Sequence, residues 1–362
     1  MQFLLMHRTV AEHDAISYDI LETNRLLCRS HQVQLFCEHF ARLDGISQID
    51  ANAAMSLLAG DLCFPIYYHS TYWPEGERLL SLTNGRIVFK YHNITPPSYF
   101  AQVPDYWQAC IAGREQTYRF VRQYPKAMWL TDSLFNLREL GLDAGVFHRV
   151  VPPFVGASGS GGSALDEAVL RELLTDKRIH LLFVGRIAPH KGHLFLLDVV
   201  YRYRQFYGKD VILHIIGKRD EACRRYAEAI LAKIAELGLS DSVEMLGEVD
   251  ASRLVSYFLG SDAYLCCSEH EGFCAPIVEA QSLHLPVVAF ASSAIPETIG
   301  RGQILLGDDA GAYAHALHRL RADEKFRQLT IQNGRRNYME RFTYERTAQT
   351  YLSALGDMGL AV

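Results

Sequence analysis

A rhythm that occurs twice limits this chain more than any other feature. Short apolar runs at 2–6, 32–37, 61–68, 86–91, 127–131 and 146–151 alternate with longer amphipathic stretches such as 18–29 and 107–123. A Pro/Gly/Ser-rich segment at 152–163 (PPFVGASGSGGS) interrupts the pattern, which then restarts. New runs follow at 179–184, 211–216, 242–246, 262–267, 286–290 and 303–306, with helical patterns such as 194–207 and 222–237 between them. A strand buried on both faces reads as a continuous apolar run, and parallel strands need a crossover that is usually a helix. The chain is therefore predicted to be α/β, with two doubly wound Rossmann-like domains. The first spans 1–155, a linker covers 156–164, and the second spans 165–343. A length of 362 residues suits two domains of this kind. In such sheets ligands bind beyond the carboxyl ends of the strands, so residues just after predicted strands are the candidates for function.

Composition narrows the function classes. Hydrophobic residues make up 49% and charged residues 21%, as in soluble globular proteins. A net charge of −5 argues against nucleic acid as a partner, so an anionic ligand needs a local cationic site. None of the eight cysteines forms a C-x-x-C pair; buried, reduced thiols in a cytoplasmic protein are expected, and no zinc site. The first eight residues are too short for a signal peptide, and no apolar run reaches membrane-spanning length.

The densest candidate site is 268–280 (SEHEGFCAPIVEA). It follows a predicted strand and precedes a predicted helix at 277–283, with Pro276 in the first turn, where a missing N–H costs nothing. Gly272 permits close approach of the backbone to a ligand. Free N–H groups around Phe273, Cys274 and Ala275 can hold hydroxyl or phosphate oxygens. Glu271 in the loop and Glu279 in the first helical turn can face one pocket, and a carboxylate can accept two hydroxyls of a sugar diol. Earlier in the same half, Gly185-Arg186 ends a strand and Lys191 opens the next helix, placing two cations where a diphosphate could be neutralised.

The E-x7-E spacing within E-G-F-x-x-P-x-x-E, together with Gly185-Arg186 and Lys191-Gly192, resembles the signature of retaining glycosyltransferase family 4. The resemblance runs along most of the chain and is densest from 181 to 281. It implies a GT-B fold, with the two domains facing across a cleft and the C-terminal helix, 344–362, crossing back onto the first domain. It implies transfer of a hexose from a nucleoside-diphosphate sugar to a glycan or lipid-linked hydroxyl, with retention. GDP-mannose is the expected donor, since the Ser-Glu-His-Glu-Gly-Phe-Cys run is similar to that of bacterial polysaccharide mannosyltransferases. In this reading Arg186 and Lys191 stabilise the leaving diphosphate, Glu271 orients the sugar and Glu279 holds the ribose. Gly217, Lys218 and Val249 lie in turns that resemble those facing the nucleobase. No cofactor or metal is expected, because no D-x-D motif is placed to hold an ion; Asp308-Asp309 follows the last predicted strand.

In the first half, His92 ends a strand in the run Tyr-His-Asn-Ile-Thr-Pro-Pro, and the resemblance implies contact with the sugar or acceptor. Asn93 and His69, the latter just after its strand, are further acceptor-side candidates. The loop after the first strand lacks the glycine common in the family, so His13 and Asp14 either touch the acceptor or, for Asp14, cap the following helix. The aromatic and basic segment 107–126 reads as an ordinary amphipathic helix, with contact to the cytoplasmic face of a membrane as the alternative. A nucleotide-sugar epimerase of the same fold would need acid/base carboxylates in the first half, and no clear set is visible. A non-catalytic sugar-nucleotide-binding module is the third reading. A glycan phosphorylase would need a pyridoxal-phosphate lysine, and none stands out.

Overall fold

The computed structural model describes residues 1–12, 14–40, 46–60, 63–83, 87–156 and 165–360. Two compact units are present: Met1–Val155 with Phe342–Val362, and Gly156–Arg341. His13 and the linker beyond Gly156 lie outside the described residues.

The first unit runs β1 (Gln2–Met6), β2 (Thr9–Val10), α1 (Ala15–Leu27), β3 (Gln32–Phe36), β4 (His39–Phe40), α2 (Ala51–Leu58), β5 (Cys63–His69), α3 (Pro74–Leu80), β6 (Val88–Tyr91), α4 (Pro104–Gln123), β7 (Met128–Thr131), α5 (Leu134–Leu140) and β8 (His148–Val150). Six of these strands form one parallel sheet in the order β3-β1-β5-β6-β7-β8, and β2 pairs with β4 in a small parallel ribbon. The ribbon went unread because two-residue strands carry no periodicity. The sequential order of the strands reverses between β1 and β5. One face buries a stack of rings, with Phe89 and Trp129 centroids 4.4 Å apart. Full burial of such a side chain stabilises by about 1.5–3 kcal/mol.

The second unit runs α6 (Glu167–Thr175), β9 (Ile179–Val184), α7 (His193–Tyr207), β10 (Val211–Ile216), α8 (Arg224–Glu236), β11 (Val243–Gly247), α9 (Ala251–Gly260), β12 (Ala263–Cys266), α10 (Ala275–Ser282), β13 (Val287–Phe290), α11 (Ile295–Ile299), β14 (Ile304–Leu306), α12 (Ala310–Ala322) and α13 (Glu324–Arg341). Its parallel sheet has the order β11-β10-β9-β12-β13-β14, so the order reverses between β9 and β12. The last helix, α14 (Tyr344–Asp357), belongs to the first unit. Its Tyr351, Ala354 and Leu355 pack into the cluster containing Phe3, Leu5 and Phe154.

Several local expectations change. β5 extends through His69, so this residue lies inside the sheet, opposite Tyr91, and not after the strand. Lys191 closes a 3-10 turn (Pro189–Lys191), and Gly192 stands before α7 at φ +69°. α10 starts at Ala275, two residues earlier than predicted, which places Glu279 past the first turn. Among the described residues no helix is long and apolar enough to cross a membrane.

Candidate functional site

The second unit gathers its polar groups where β9 and β12 end side by side, at the reversal of strand order. Two glycines make the approach possible. A Cβ on Gly192 would lie 1.9 Å from the Cys267 carbonyl oxygen, and one on Gly217 would lie 2.0 Å from that of Gly185. Gly185 N donates to Ile216 O at 2.9 Å and Gly217 N to Gly247 O at 2.8 Å, which laces the ends of β9, β10 and β11 together.

With Gly192 pressed on β12, Lys191 reaches the loop that follows the strand. Its Nζ donates to Glu271 Oε1 at 2.7 Å. The two side chains keep 21% and 11% of their surface exposed. Burial alone would lower the Lys191 pKa, but Glu271 and the neighbouring Cys274 and Cys266 raise it, so the ammonium is held charged. Arg186 is more open, with its side chain 45% exposed and 3.7 Å from Asp220. Lys218 is exposed and Val249 partly buried.

The loop itself is fastened. Glu271 N donates to Ser293 Oγ at 2.8 Å, Ser292 Oγ to Ser268 O at 2.7 Å, and Thr298 Oγ1 to Phe273 O at 2.6 Å. Phe273 and Cys274 are buried, while Gly272 and Ala275 are partly exposed. The predicted row of free N–H groups is shorter than expected: Pro276 has none, and Ile277 N donates to Cys274 O at 3.1 Å. Glu279 is partly buried, and no hydrogen bond or ion pair joins its carboxylate to a described residue. Burial pushes its pKa up to about 8. A protonated carboxyl both donates and accepts, and so matches a pair of adjacent hydroxyls.

The first unit treats its candidates differently. His69 is fully buried, with Nε2 2.7 Å from Thr117 Oγ1 and its ring against Phe120, and burial lowers its pKa to about 3. A ring so enclosed does not line a binding surface, which corrects the sequence reading. Asn93 is also buried, at φ +71°; its Nδ2 donates to Asn136 Oδ1 at 2.8 Å and Glu139 Oε2 at 2.6 Å, pinning the loop after β6. Asp14 caps α1, accepting from Ser17 N at 2.8 Å and Ser17 Oγ at 2.7 Å.

His92 turns inward. Its Nδ1 lies 2.8 Å from Asp132 Oδ2 and its Nε2 3.4 Å from Asp19 Oδ2, leaving 4% of the side chain exposed. Burial would lower its pKa, but the two carboxylates outweigh this and raise it to about 9. Asp132 also accepts from Lys90 Nζ at 2.5 Å, and Lys90 donates to Val151 O at 2.6 Å. Nδ1 is thus held by Asp132, while Nε2 and Asp19 Oδ2 are both buried without a hydrogen-bond partner among the described residues.

Asp19, Lys90 and Asp132 went unread as a group. The available signal was Lys90 in the middle of an apolar strand, since a lysine there demands a buried carboxylate. These are carboxylates in the first unit, but Asp132 is committed to Lys90 and His92, and Asp19 Oδ1 accepts from Phe154 N at 2.7 Å. No group of three or more His, Cys, Asp or Glu that could hold a metal occurs among the described residues.

Two parallel six-stranded sheets, each covered by helices and each with one reversal of strand order, define the GT-B class of fold. A solved structure of Anabaena HepE in complex with UDP-glucose has this fold with a TM-score of 0.79, at 16% identity over 99% of this chain and all of that one. Residues 167–337 match the family described as "Glycosyl transferases group 1". The D-inositol 3-phosphate glycosyltransferase of Geodermatophilus obscurus is 27% identical over 214 residues, 57% of this chain and 46% of that protein. The MMP alpha-(1->4)-mannosyltransferase of Mycolicibacterium hassiacum is 29% identical over 164 residues, 44% of this chain and 38% of that protein. The chain thus spans less than half the length of these curated relatives.

Proposed function

We propose that the chain is a retaining, metal-independent glycosyltransferase that moves a hexose from a nucleoside-diphosphate sugar to an acceptor hydroxyl. The observation that carries this reading is the Lys191–Glu271 pair, 2.7 Å apart at the reversal point of the second sheet, together with the carboxyl of Glu279 on α10, which has no partner among the described residues. Lys191 and Arg186 stabilise the negative charge that grows on the leaving diphosphate, where preorganised cations act most strongly. On donor binding Lys191 exchanges its bond with Glu271 for phosphate oxygens, and Glu271 is released to grip sugar hydroxyls. Glu279 accepts from and donates to the ribose diol. Gly185, Gly217, Lys218 and Val249 present the strand ends to the nucleotide, and Gly272, Phe273, Cys274 and Ala275 present the loop to the sugar. The leaving phosphate takes the acceptor proton, so no enzyme nucleophile is assigned.

GDP-mannose is the donor we place first, an assignment the mannosyl relative supports; UDP-glucose, the ligand of HepE, is its rival. The acceptor we propose is a glycan or lipid-linked hydroxyl in surface polysaccharide synthesis. All eight cysteines are free thiols, which fits work in a reducing cytoplasm, with any membrane contact peripheral. The epimerase reading is less favoured, because Asp19 and Asp132 are engaged with His92, Lys90 and backbone.

The test is a panel of nucleotide sugars scored by melting temperature and slow donor hydrolysis, with the anomeric configuration of product read by proton NMR. One nucleotide sugar should raise the melting temperature and give a product of retained configuration, in EDTA as in its absence. No response to any donor overturns the reading, and activity lost in EDTA and restored by magnesium overturns its metal-independent part.

A further inference from the structure

Two thiols at the two ends of the donor loop are placed for chemistry that the transfer reaction does not use. Cys266, the last residue of β12, and Cys274, just before α10, have their Sγ atoms 3.8 Å apart. Cys266 is fully buried and Cys274 is 6% exposed. The backbone at Cys274 is left-handed, φ +75° and ψ 68°, a conformation that favours glycine or asparagine. A β-carbon kept at such a position points to a task for the side chain. Here it aims the sulfur at Cys266. Ser268 Oγ lies 3.8 Å from the Cys266 sulfur, and the charged Lys191 is close enough to both thiols for them to raise its pKa. The Cys274 thiol in turn favours the thiolate of Cys266, lowering its pKa against the opposing effect of burial. Cys267 has neither partner, and burial pushes its thiol well up.

We propose that Cys266 and Cys274 form a reversible disulfide on exposure to a peroxide, and that the bond closes the donor loop to its nucleotide sugar. The second half rests on the glycosyltransferase reading; the first does not. The steps balance. The Cys266 thiolate attacks a peroxide oxygen, the O–O bond breaks, and one water leaves with the thiol proton, giving a sulfenic acid. Cys274 sulfur then attacks the Cys266 sulfur, the S–O bond breaks, and a second water leaves. Two thiols are oxidised by two electrons and the peroxide is reduced to two waters. A disulfide has sulfurs about 2.05 Å apart, so the thiols must close by nearly half their present separation. That movement carries Phe273 and the loop bearing Glu271, and disturbs the Lys191–Glu271 pair.

The experiment treats the reduced full chain with hydrogen peroxide and digests it, unreduced, with a glutamate-specific protease. Cleavage after Glu269 and Glu271 separates Cys266 from Cys274. The expected result is one cross-linked peptide pair, lost on dithiothreitol treatment, present in Cys267→Ser and absent in Cys266→Ser and Cys274→Ala. Affinity for GDP-mannose or UDP-glucose, whichever binds the reduced protein, should fall at least tenfold on oxidation and recover on reduction. In Cys266→Ser, peroxide should leave affinity where it was before treatment. Unmodified thiols, separate sulfinic acids, or a bridge through Cys267 overturn the site, and unchanged affinity in the cross-linked protein overturns its effect. If the reduced protein binds no nucleotide sugar, the transferase reading fails, while the cross-link still stands or falls by mass alone.

Discussion

In the first unit Lys90, Asp132, His92 and Asp19 meet where β6 and β7 end, and each turns its charge toward another of the four. In the second, at the corresponding ends of β9 and β12, Lys191 and Glu271 stay partly exposed and Arg186 reaches outward, while Glu279 on α10 has no partner among the described residues. The same sheet architecture thus carries a closed polar cluster in one unit and an open one in the other. The first cluster is buried and held by its own ion pairs, with His92 Nε2 and Asp19 Oδ2 short of a hydrogen bond, whereas partly exposed charges such as those of the second are accessible to a ligand. On the proposed function donor binding falls to the second unit, and substitutions can break this contrast between the two.

The largest effect should come from Asp132→Ala, which strands Lys90 without a counter-charge. Breaking a buried pair from one side costs about 3–5 kcal/mol, so the melting temperature should drop by many degrees in circular dichroism. A near-neutral result would mean that the closed cluster does not hold the first unit together. The next effect concerns pH. His92 has its pKa raised to about 9 in the fold against 6.5 unfolded, so the stability it supplies is whole below about pH 6.5 and declines as pH rises through about 9. Unfolding free energies from urea titration should fall across this window in the native chain, by up to about 3 kcal/mol, and fall less in His92→Gln. Equal slopes in both proteins would remove the imidazolium from the account.

Sequence made part of this visible. The six strands of the second unit could be placed within a residue or two, because β9 and β10 are nearly unbroken apolar runs. The spacing of Glu271 and Glu279 and the position of Arg186 and Lys191 could be read because they follow strands directly. The closed cluster could not. Asp19 and Asp132 lie 73 and 40 residues from His92, on α1 and after β7, and no local pattern joins them. His69 and His92 carried the same strand-end signal as the cations of the second unit, yet fold inward. The reason is that aromatic rings at 67, 68 and 120 and carboxylates at 19 and 132 surround them, a fact of the tertiary fold alone.

On the open side, Lys191→Ala should weaken donor binding on the order of tenfold, about 1.4 kcal/mol, while moving the donor-free melting temperature far less than Asp132→Ala does. The smallest expected effect is the pH dependence of stability contributed by Glu279. Its pKa is about 8 in the fold against 4.5 unfolded, so the folded chain keeps a proton that the unfolded chain loses, and stability falls as pH rises from 4.5 to 8. Glu279→Gln should therefore gain on the order of 1 kcal/mol at pH 8 and nothing at pH 4, with partial exposure keeping the gain modest. Thermal melts at the two pH values check this.

The most direct test of the central claim is isothermal titration of the nucleotide sugar that stabilises the native chain into native protein and Glu279→Ala at pH 7. The account predicts one site per chain in the native protein and at least a tenfold loss of affinity in the variant, with its fold retained. Equal affinity in both proteins would contradict it, because the open carboxyl of the second unit would then have no part in holding the donor.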